Sequence, residues 1–365
     1  MAAAARPPPD AADSGEDSDS VPLPPPICGP PQCERFPGSR FCGCTMPCRK
    51  RLRRFVDEGV PLEPAAPSLE AQAKAAEALT ATRRRRAAEG RGARLVTWNV
   101  LFDPAGAGPR WEALLEEVAA AAPDVVCFQE AVPCFARLAL AQAWAARYFA
   151  SDGGDGRSVA PEGELVLVGR WLAEGTGKEP AFSHHALPSD QGRRLVVCEL
   201  RPGVAVATAH FESLAGRSAV RREQLELAQR LLAPYGAAAL LGDFNCLEEA
   251  DAESLAGLSR GGWADAWPSA QLREGADAEG LTYDPARNAL AAAKKGAAGG
   301  RLDRAFLRGL SATGEEASGD AVLVRRAWLL GAQPLAPSAG HAPAGLWPSD
   351  HFGLGVDLAA ELCAA

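Results

Sequence analysis

Five short blocks of this 365-residue chain each place a carboxylate, an amide or an imidazole beside a strand-like apolar run. They read Thr97-Trp98-Asn99, Phe128-Gln129-Glu130, His210-Phe211-Glu212-Ser213, Gly242-Asp243-Phe244-Asn245 and Ser349-Asp350-His351. An acid, amide and imidazole set without a nucleophilic Ser or Cys suits metal-assisted attack of water on a phosphodiester. In each block the polar residue sits at or just past the end of an apolar run, where side chains from separate strands can converge on one rim. Glu130 alone would read as a solvated loop acid. The joint occurrence of all five blocks argues against that reading.

The elements that must carry these blocks follow from periodicity and breakers. Strands are expected at 95–100, 125–129, 165–168, 195–200, 204–209, 239–241, 302–307, 321–324 and 352–356. Helices are expected from Ser68 as N-cap, over 110–122 up to Pro123, over 134–148, and over 221–232 with an apolar stripe of Leu225, Leu227, Ala228, Leu231 and Leu232. Strands with intermittent helices fit either a two-sheet α/β sandwich or a doubly wound sheet. The expected organisation is a disordered stretch at 1–26, a Cys-rich module with a basic tail at 27–56, a linker and helix at 57–92, and a catalytic domain at 93–361.

Composition narrows the class. A hydrophobic share of 47% supports a sizeable core, and a net charge of −8 argues against a non-specific nucleic-acid coat, although local basic patches remain compatible with gripping phosphates. No apolar run approaches the roughly 20 residues of a membrane helix, so no membrane partner is expected. The acidic stretch after Met1–Pro9 is unlike a secretory or transit signal. Cys127, Cys134, Cys198, Cys246 and Cys363 are scattered, several beside apolar strands, as expected of small buried side chains in a reducing compartment.

The order and spacing of the five blocks resemble the endonuclease/exonuclease/phosphatase superfamily and, within it, the tyrosyl-DNA phosphodiesterase 2 branch. The resemblance covers about 94–358 and implies a two-sheet α/β sandwich flanked by helices. Branch-like details are His210-Phe-Glu-Ser213 followed by Arg221 and Gln224-Leu225, Thr282-Tyr283-Asp284, and Pro348-Ser-Asp-His-Phe-Gly-Leu354. By that resemblance Glu130 matches the carboxylate that binds Mg²⁺ or Mn²⁺, Asn99 the amide supporting that metal, and Asp350 an acid beside it. Asp243 matches the general base and Asn245 an amide orienting phosphate or water. His210 and His351 match phosphoryl-binding imidazoles. Asp303 matches an acid that holds a catalytic imidazole, and Ser213 a hydroxyl near the phosphate. Three positions depart from the branch: Leu101, Ala215 and Leu247 stand where it carries an acid and two arginines. Arg193 and Arg217 are the candidates to hold a DNA backbone in place of those arginines, and Tyr283 the candidate to stack a base.

The leading expectation is therefore a Mg²⁺-dependent phosphodiesterase that acts on 5′-phosphotyrosyl DNA in repair, with DNA and its protein adduct as partners. A phenolate leaving group, whose conjugate acid has a pKa near 10, departs without a strong general acid. None of the three tyrosines, Tyr148, Tyr235 and Tyr283, stands in a general-acid block. The rivals are a same-fold nuclease or phosphatase acting on RNA ends or a small phosphodiester, and an adaptor that binds ubiquitin or nucleic acid through its Cys-rich module. In that module Cys28, Cys33, Cys42, Cys44 and Cys48 stand in a Pro/Gly-rich stretch too short for a core. Four of them are expected to hold Zn²⁺, with Cys42 or Cys44 spare; disulfides or idle thiols are the alternatives. Arg49-Lys50-Arg51 and Arg83–Arg86 read as phosphate contacts or nuclear-import signals, with nuclear and cytoplasmic residence expected.

Overall fold

The computed structural model describes residues 54–61, 63–174, 178–274, 279–294, 298–310, 324–336, 345–359 and 362. The five cysteines of the expected zinc module and the 1–26 stretch lie outside the described residues. No helix among the described residues is long and apolar enough to cross a membrane.

The described residues form two six-stranded mixed sheets. In the first, β1 (Arg94–Asn99) lies between β2 (Val125–Ala131) and β12 (Gly353–Leu358), with β4 (Gly163–Gly169) and β3 (Tyr148–Ala150) beyond β2 and β11 (Val324–Leu330) beyond β12. In the second, β7 (Val204–His210) and β8 (Ala237–Asp243) are central. β6 (Arg194–Arg201) and β5 (Ala181–Ala186) continue on one side, and β10 (Asp303–Arg308) and β9 (Ala264–Asp265) on the other. Strands β1, β2 and β4 of one sheet contact β6, β7, β8 and β10 of the other, so the sheets pack face to face. Fully buried strands such as Leu95-Val96 and Val125-Val126-Cys127-Phe128 account for the unbroken apolar runs in the sequence.

Each sheet holds one parallel pair closed by a helical crossover. The pair β1–β2 is joined through α2 (Ala107–Ala121), and β7–β8 through α4 (Ser218–Leu232). Both crossovers deliver chemistry to the carboxyl ends of the parallel strands. Asn99 pairs with Gln129 in one register and His210 with Asp243 in the other. Antiparallel neighbours begin at the same rim: Asp303, the first residue of β10, pairs with Asp243, and β12 starts just after His351. Gly242 is required where β8 pairs with β7 at Ala209, because φ is 138° and a Cβ there would run into the Ala209 carbonyl oxygen. Beneath the rim a buried polar link joins the sheets, with Gln129 Nε2 donating to Thr97 Oγ1 and to Thr208 Oγ1, both at 3.0 Å.

The elements before Arg94 pack on this frame. Helix α1 (Leu69–Ala88) starts at Ser68, whose Oγ accepts from Ala71 N at 3.1 Å. Of the four-arginine run that ends it, Arg86 is buried on Asp124, and Arg83 lies 3.3 Å from the same carboxylate and stacks on Trp171. The run that reads as an import signal is therefore partly spent on holding its own helix. Phe55 is buried too, stacked on Trp111 at 5.3 Å between ring centroids, so the end of the basic tail expected at 27–56 is anchored in the core.

Against the expected elements, one helix is shorter, one strand runs on, and one strand forms where none was expected. The helix expected over 134–148 is α3 (Pro133–Leu140) followed by a 3₁₀ turn (Ala143–Arg147). Tyr148 instead enters β3, where its hydroxyl donates to Pro123 O at 2.7 Å. Of the strand expected at 321–324 only Val324 is among the described residues, and β11 runs from there to Leu330, through Arg325 and Arg326. Its outer face tolerates them because it is an edge strand, with the Arg326 guanidinium over the Trp328 ring. Strand β5 alternates exposed and half-buried residues at the other sheet's edge, and no strand was expected there.

Candidate active site

The acidic end of the site is built by β1, β2 and the loop before β12. Asn99 Nδ2 donates to Glu130 Oε1 and to Asp243 Oδ2, both at 3.0 Å, so one amide holds acids from both sheets in register. Glu130 sits at a register shift in β2 with φ 57°, a left-handed conformation uncommon for a non-glycine residue. That bulge turns its carboxylate onto the rim, where Oε2 accepts from Phe102 N at 3.1 Å. Ser349 Oγ donates to Asn99 O at 2.6 Å and places Asp350 beside this pair. Arg110, fully buried in α2, donates to the carbonyls of Asp103, Ala105 and Pro348, which fixes the loop after Asn99 against the Asp350 block.

The imidazole end is built by β7, β8 and β10. Trp98 Nε1 donates to the His351 carbonyl at 3.0 Å, and Thr282 Oγ1 accepts from the amides of Leu302 and Asp303 at 3.0 and 2.9 Å. These bonds place His351 Nδ1 2.8 Å from Asp303 Oδ2, with Nε2 3.8 Å from Asp243 Oδ2. On the other side of Asp243, His210 Nε2 lies 3.5 Å from Oδ2. The Arg193 guanidinium lies against the His210 ring, with Nη1 2.9 Å from Nδ1. Asn245, at φ 50°, donates Nδ2 to Phe211 O at 3.1 Å, and its amide donates to Asp243 Oδ1 at 3.0 Å.

Electrostatics separate these groups. Burial, reinforced by Asp350 and Glu162, raises the Glu130 carboxyl above its usual range. Burial would also raise Asp350, but His351 and Lys294 outweigh it and hold this acid low. Burial pushes Asp243 up to about 6, opposed by His351 and reinforced by Asp303. For His351 burial works downward and is overcome by Asp303 and Asp243, raising the imidazole to about 10. Burial, then Arg193 and His351, drive His210 well below its ordinary value. At neutral pH one imidazole is therefore charged and the other neutral, with a base of nearly neutral pKa between them.

Two donor groups deserve comparison as cation sites. Ligand atoms of Asp243, Asp303 and His351 lie within 4.8 Å of one another. His351 is held as an imidazolium engaged with Asp303, however, so its nitrogens are donors and not ligands. The oxygen set of Glu130, Asp350 and Asn99 is the better match for a hard divalent cation. The raised Glu130 carboxyl shows that the charge buried there is only partly countered, as a cation site requires.

The remaining candidates divide. Arg193 and Ser213 join the imidazole end, with Arg193 Nη2 3.4 Å from Ser213 Oγ and Ser213 Oγ donating to Gln191 Oε1 at 3.1 Å. Arg217 is exposed and paired with Asp190 at 2.6 Å. Tyr283 does not stand free in a loop. It is 5% exposed, its ring lies 5.1 Å from the His351 ring, and its hydroxyl donates to Ala291 O at 3.1 Å. It supports His351 and offers no open face for stacking a base. Gln191, Glu162, Arg110 and Lys294 also belong to the site and were not anticipated. Gln191 lies two residues before Arg193 and could have been included with it, whereas Lys294, in an Ala-rich run, carried no signal.

The endonuclease/exonuclease/phosphatase family model matches residues 96–351, which spans both ends of this rim. The chain belongs to that family. Its fold is similar to D. rerio TDP2 complexed with single strand DNA product, at 22% identity and TM-score 0.55, over 73% of this chain and 98% of that one. It is also similar to truncated Caenorhabditis elegans TDP2, at 21% identity and TM-score 0.52, over 73% and 97%. No curated protein sequence matches. The family's nucleases and phosphatases hydrolyse phosphate esters, which is the chemistry the rim of this member can support.

Proposed function

We propose that the chain is a Mg²⁺- or Mn²⁺-dependent phosphodiesterase that hydrolyses 5′-phosphotyrosyl DNA. The observation that carries the reading is Asp243, raised to about 6 between a charged and a neutral imidazole and tied through Asn99 to Glu130. Glu130 and Asp350, with Asn99, would hold the divalent cation. Bound there, it would supply Lewis acidity toward the phosphoryl oxygens. Asp243 takes the proton from the attacking water. The His351 imidazolium and the Arg193 guanidinium meet negative charge as it grows on the phosphoryl group. Asn245 and Ser213 line the path of water and phosphate.

The leaving group supports the tyrosyl reading. All three tyrosine hydroxyls are engaged elsewhere, Tyr148 on Pro123 O, Tyr235 on Glu199 and Tyr283 on Ala291 O. No phenol is left to protonate a departing alkoxide, and a phenolate does not need one. The D. rerio relative bound to a single-stranded DNA product supports DNA as the substrate's other half. A second reading, a small or RNA phosphodiester, draws on Leu247 and Ala215, which are exposed at positions where the related branch carries arginines. Zn²⁺ bound by four of the N-terminal cysteines and nuclear residence complete the proposal. Purified protein with Mg²⁺ should cleave a 5′-phosphotyrosyl oligonucleotide in preference to its 3′ isomer and to oligo(A). Preference for oligo(A), or for a nucleotide-free phosphodiester, would move the chain to the second reading.

A further inference from the structure

Lys294 is not among the groups the proposed reaction uses, yet the chain builds a support to deliver it. Asn288 caps the short helix α5 (Ala289–Ala292), with Oδ1 accepting from Leu290 N at 3.0 Å. Its Nδ2 donates to Ser349 O at 2.8 Å, which ties the helix to the block carrying Asp350. Tyr283 and the Lys294 amide both donate to Ala291 O, at 3.1 and 3.2 Å. From this base the Lys294 side chain, 59% exposed, reaches inward until Nζ lies 2.8 Å from Oδ2 of Asp350, a residue only 2% exposed. Its charge is also felt at Glu130 and at His210.

The same carboxylate is thus claimed twice, by an ammonium of this chain and by the divalent cation of the proposed function. A monovalent and a divalent cation beside one carboxylate repel each other strongly in a buried site. We propose that Lys294 is a resident counter-cation that the incoming metal must displace from Asp350. It neutralises the acidic end while no metal is bound, and it weakens metal binding by competing for Asp350. Anchoring of the backbone through Asn288, together with exposure of the lysine stem, lets the ammonium withdraw by side-chain rotation alone. Lys294 acts through Asp350 and is a positioning residue. The inference rests on the assignment of Glu130 and Asp350 as metal ligands.

The test is Mn²⁺ binding to the chelator-stripped full chain, read from the free-ion spin signal and from thermal shift, for wild type, Lys294→Met, Lys294→Arg and Glu130→Gln. Removing one partner of a short ion pair on a carboxylate this buried corresponds to about tenfold or more in affinity. Lys294→Met should therefore bind Mn²⁺ at least about tenfold more tightly, and melt lower than wild type without metal but not with saturating Mn²⁺. Lys294→Arg, which keeps the competing cation, should stay near wild type. If Glu130→Gln abolishes Mn²⁺ binding while Lys294→Met binds as wild type does, or more weakly, with an unchanged far-UV spectrum, the competition is refuted and the metal assignment stands. If Glu130→Gln binds Mn²⁺ as well as wild type does, the metal assignment fails and the inference fails with it.

Discussion

The two parallel pairs are built alike and carry opposite burdens. Both β1–α2–β2 and β7–α4–β8 present a residue from each strand at their carboxyl ends, and both have an antiparallel neighbour arriving at the same rim. The first pair ends in Asn99 and Glu130 beside Asp350, an acidic end whose Glu130 carboxyl is raised by burial and by like charge. The second ends in His210 and Asp243 and brings its own cations, Arg193 directly and His351 through Asp303. One frame thus serves one end that needs a cation and one that supplies cations. Asn99, bonded to Glu130 and Asp243 at once, fixes the distance between them.

The largest effect should come from the end that needs a cation. Glu130→Gln keeps the shape and one of the two partners, Asn99 or Phe102, because its Nε2 can only donate, and it removes the buried charge. Turnover should fall by roughly 10³-fold or more, several kcal/mol of transition-state stabilisation, with the far-UV spectrum unchanged. Chelation of wild type should have the same effect. Activity that survives a chelator would mean that the acidic end plays no part in the reaction.

The next effect belongs to the base. Asp243→Asn should lower kcat by roughly 10²–10⁴-fold with only a small change in KM. Since Asp243 must be ionised to accept a proton and is raised to about 6, wild-type kcat should climb as pH rises through that value. The variant should lose this limb. A raised KM with normal kcat would make Asp243 a binding residue.

The imidazole end also predicts a pH signature in stability. His351 is raised from 6.5 to about 10, so its charged form is favoured by folding. That contribution is fully present below pH 6.5 and is lost as pH rises through about 10. Asp303→Asn removes the principal partner, so the decline in unfolding free energy across this window should become shallower. Denaturant melts at intervals between those pH values measure it, and an unaltered slope would remove the His351–Asp303 pair as its source.

Much of this comparison was legible in the sequence, for a physical reason. Residues at strand ends that do chemistry are constrained in type and order, so Asn99, Glu130, His210, Asp243 and His351 stand out from their apolar neighbours. Structural partners are constrained only by contact. Gln129 stands within its block with no chemical task of its own, and in the fold it bridges Thr97 and Thr208 across the sandwich. Arg86 reads as one of a basic run for phosphate contact or import, whereas Asp124, far along the chain, buries it. Strand β5 was hidden because an edge strand with no fully buried residue carries no apolar run. The run Ala291-Ala292-Ala293-Lys294 has no signal of its own, because what matters is where Asn288 pins it.

The smallest effect separates support from recognition at Tyr283. As a base-stacking residue it would matter more for a long DNA strand than for a small phosphotyrosyl compound. As a buried prop beneath His351 it should matter equally for both, because it acts on a group common to every substrate. Tyr283→Phe keeps the ring and deletes only the hydroxyl bond to Ala291 O, so stability should drop by about 1 kcal/mol with kcat nearly unchanged. Tyr283→Ala removes the ring and should lower kcat on both substrates by the same factor, with no change in the salt dependence of the long one. A greater loss on the long substrate, or a reduced salt slope, would show that the ring reaches DNA. Tyr283 would then belong to substrate recognition and no longer to the imidazole end that His351 and Asp303 define.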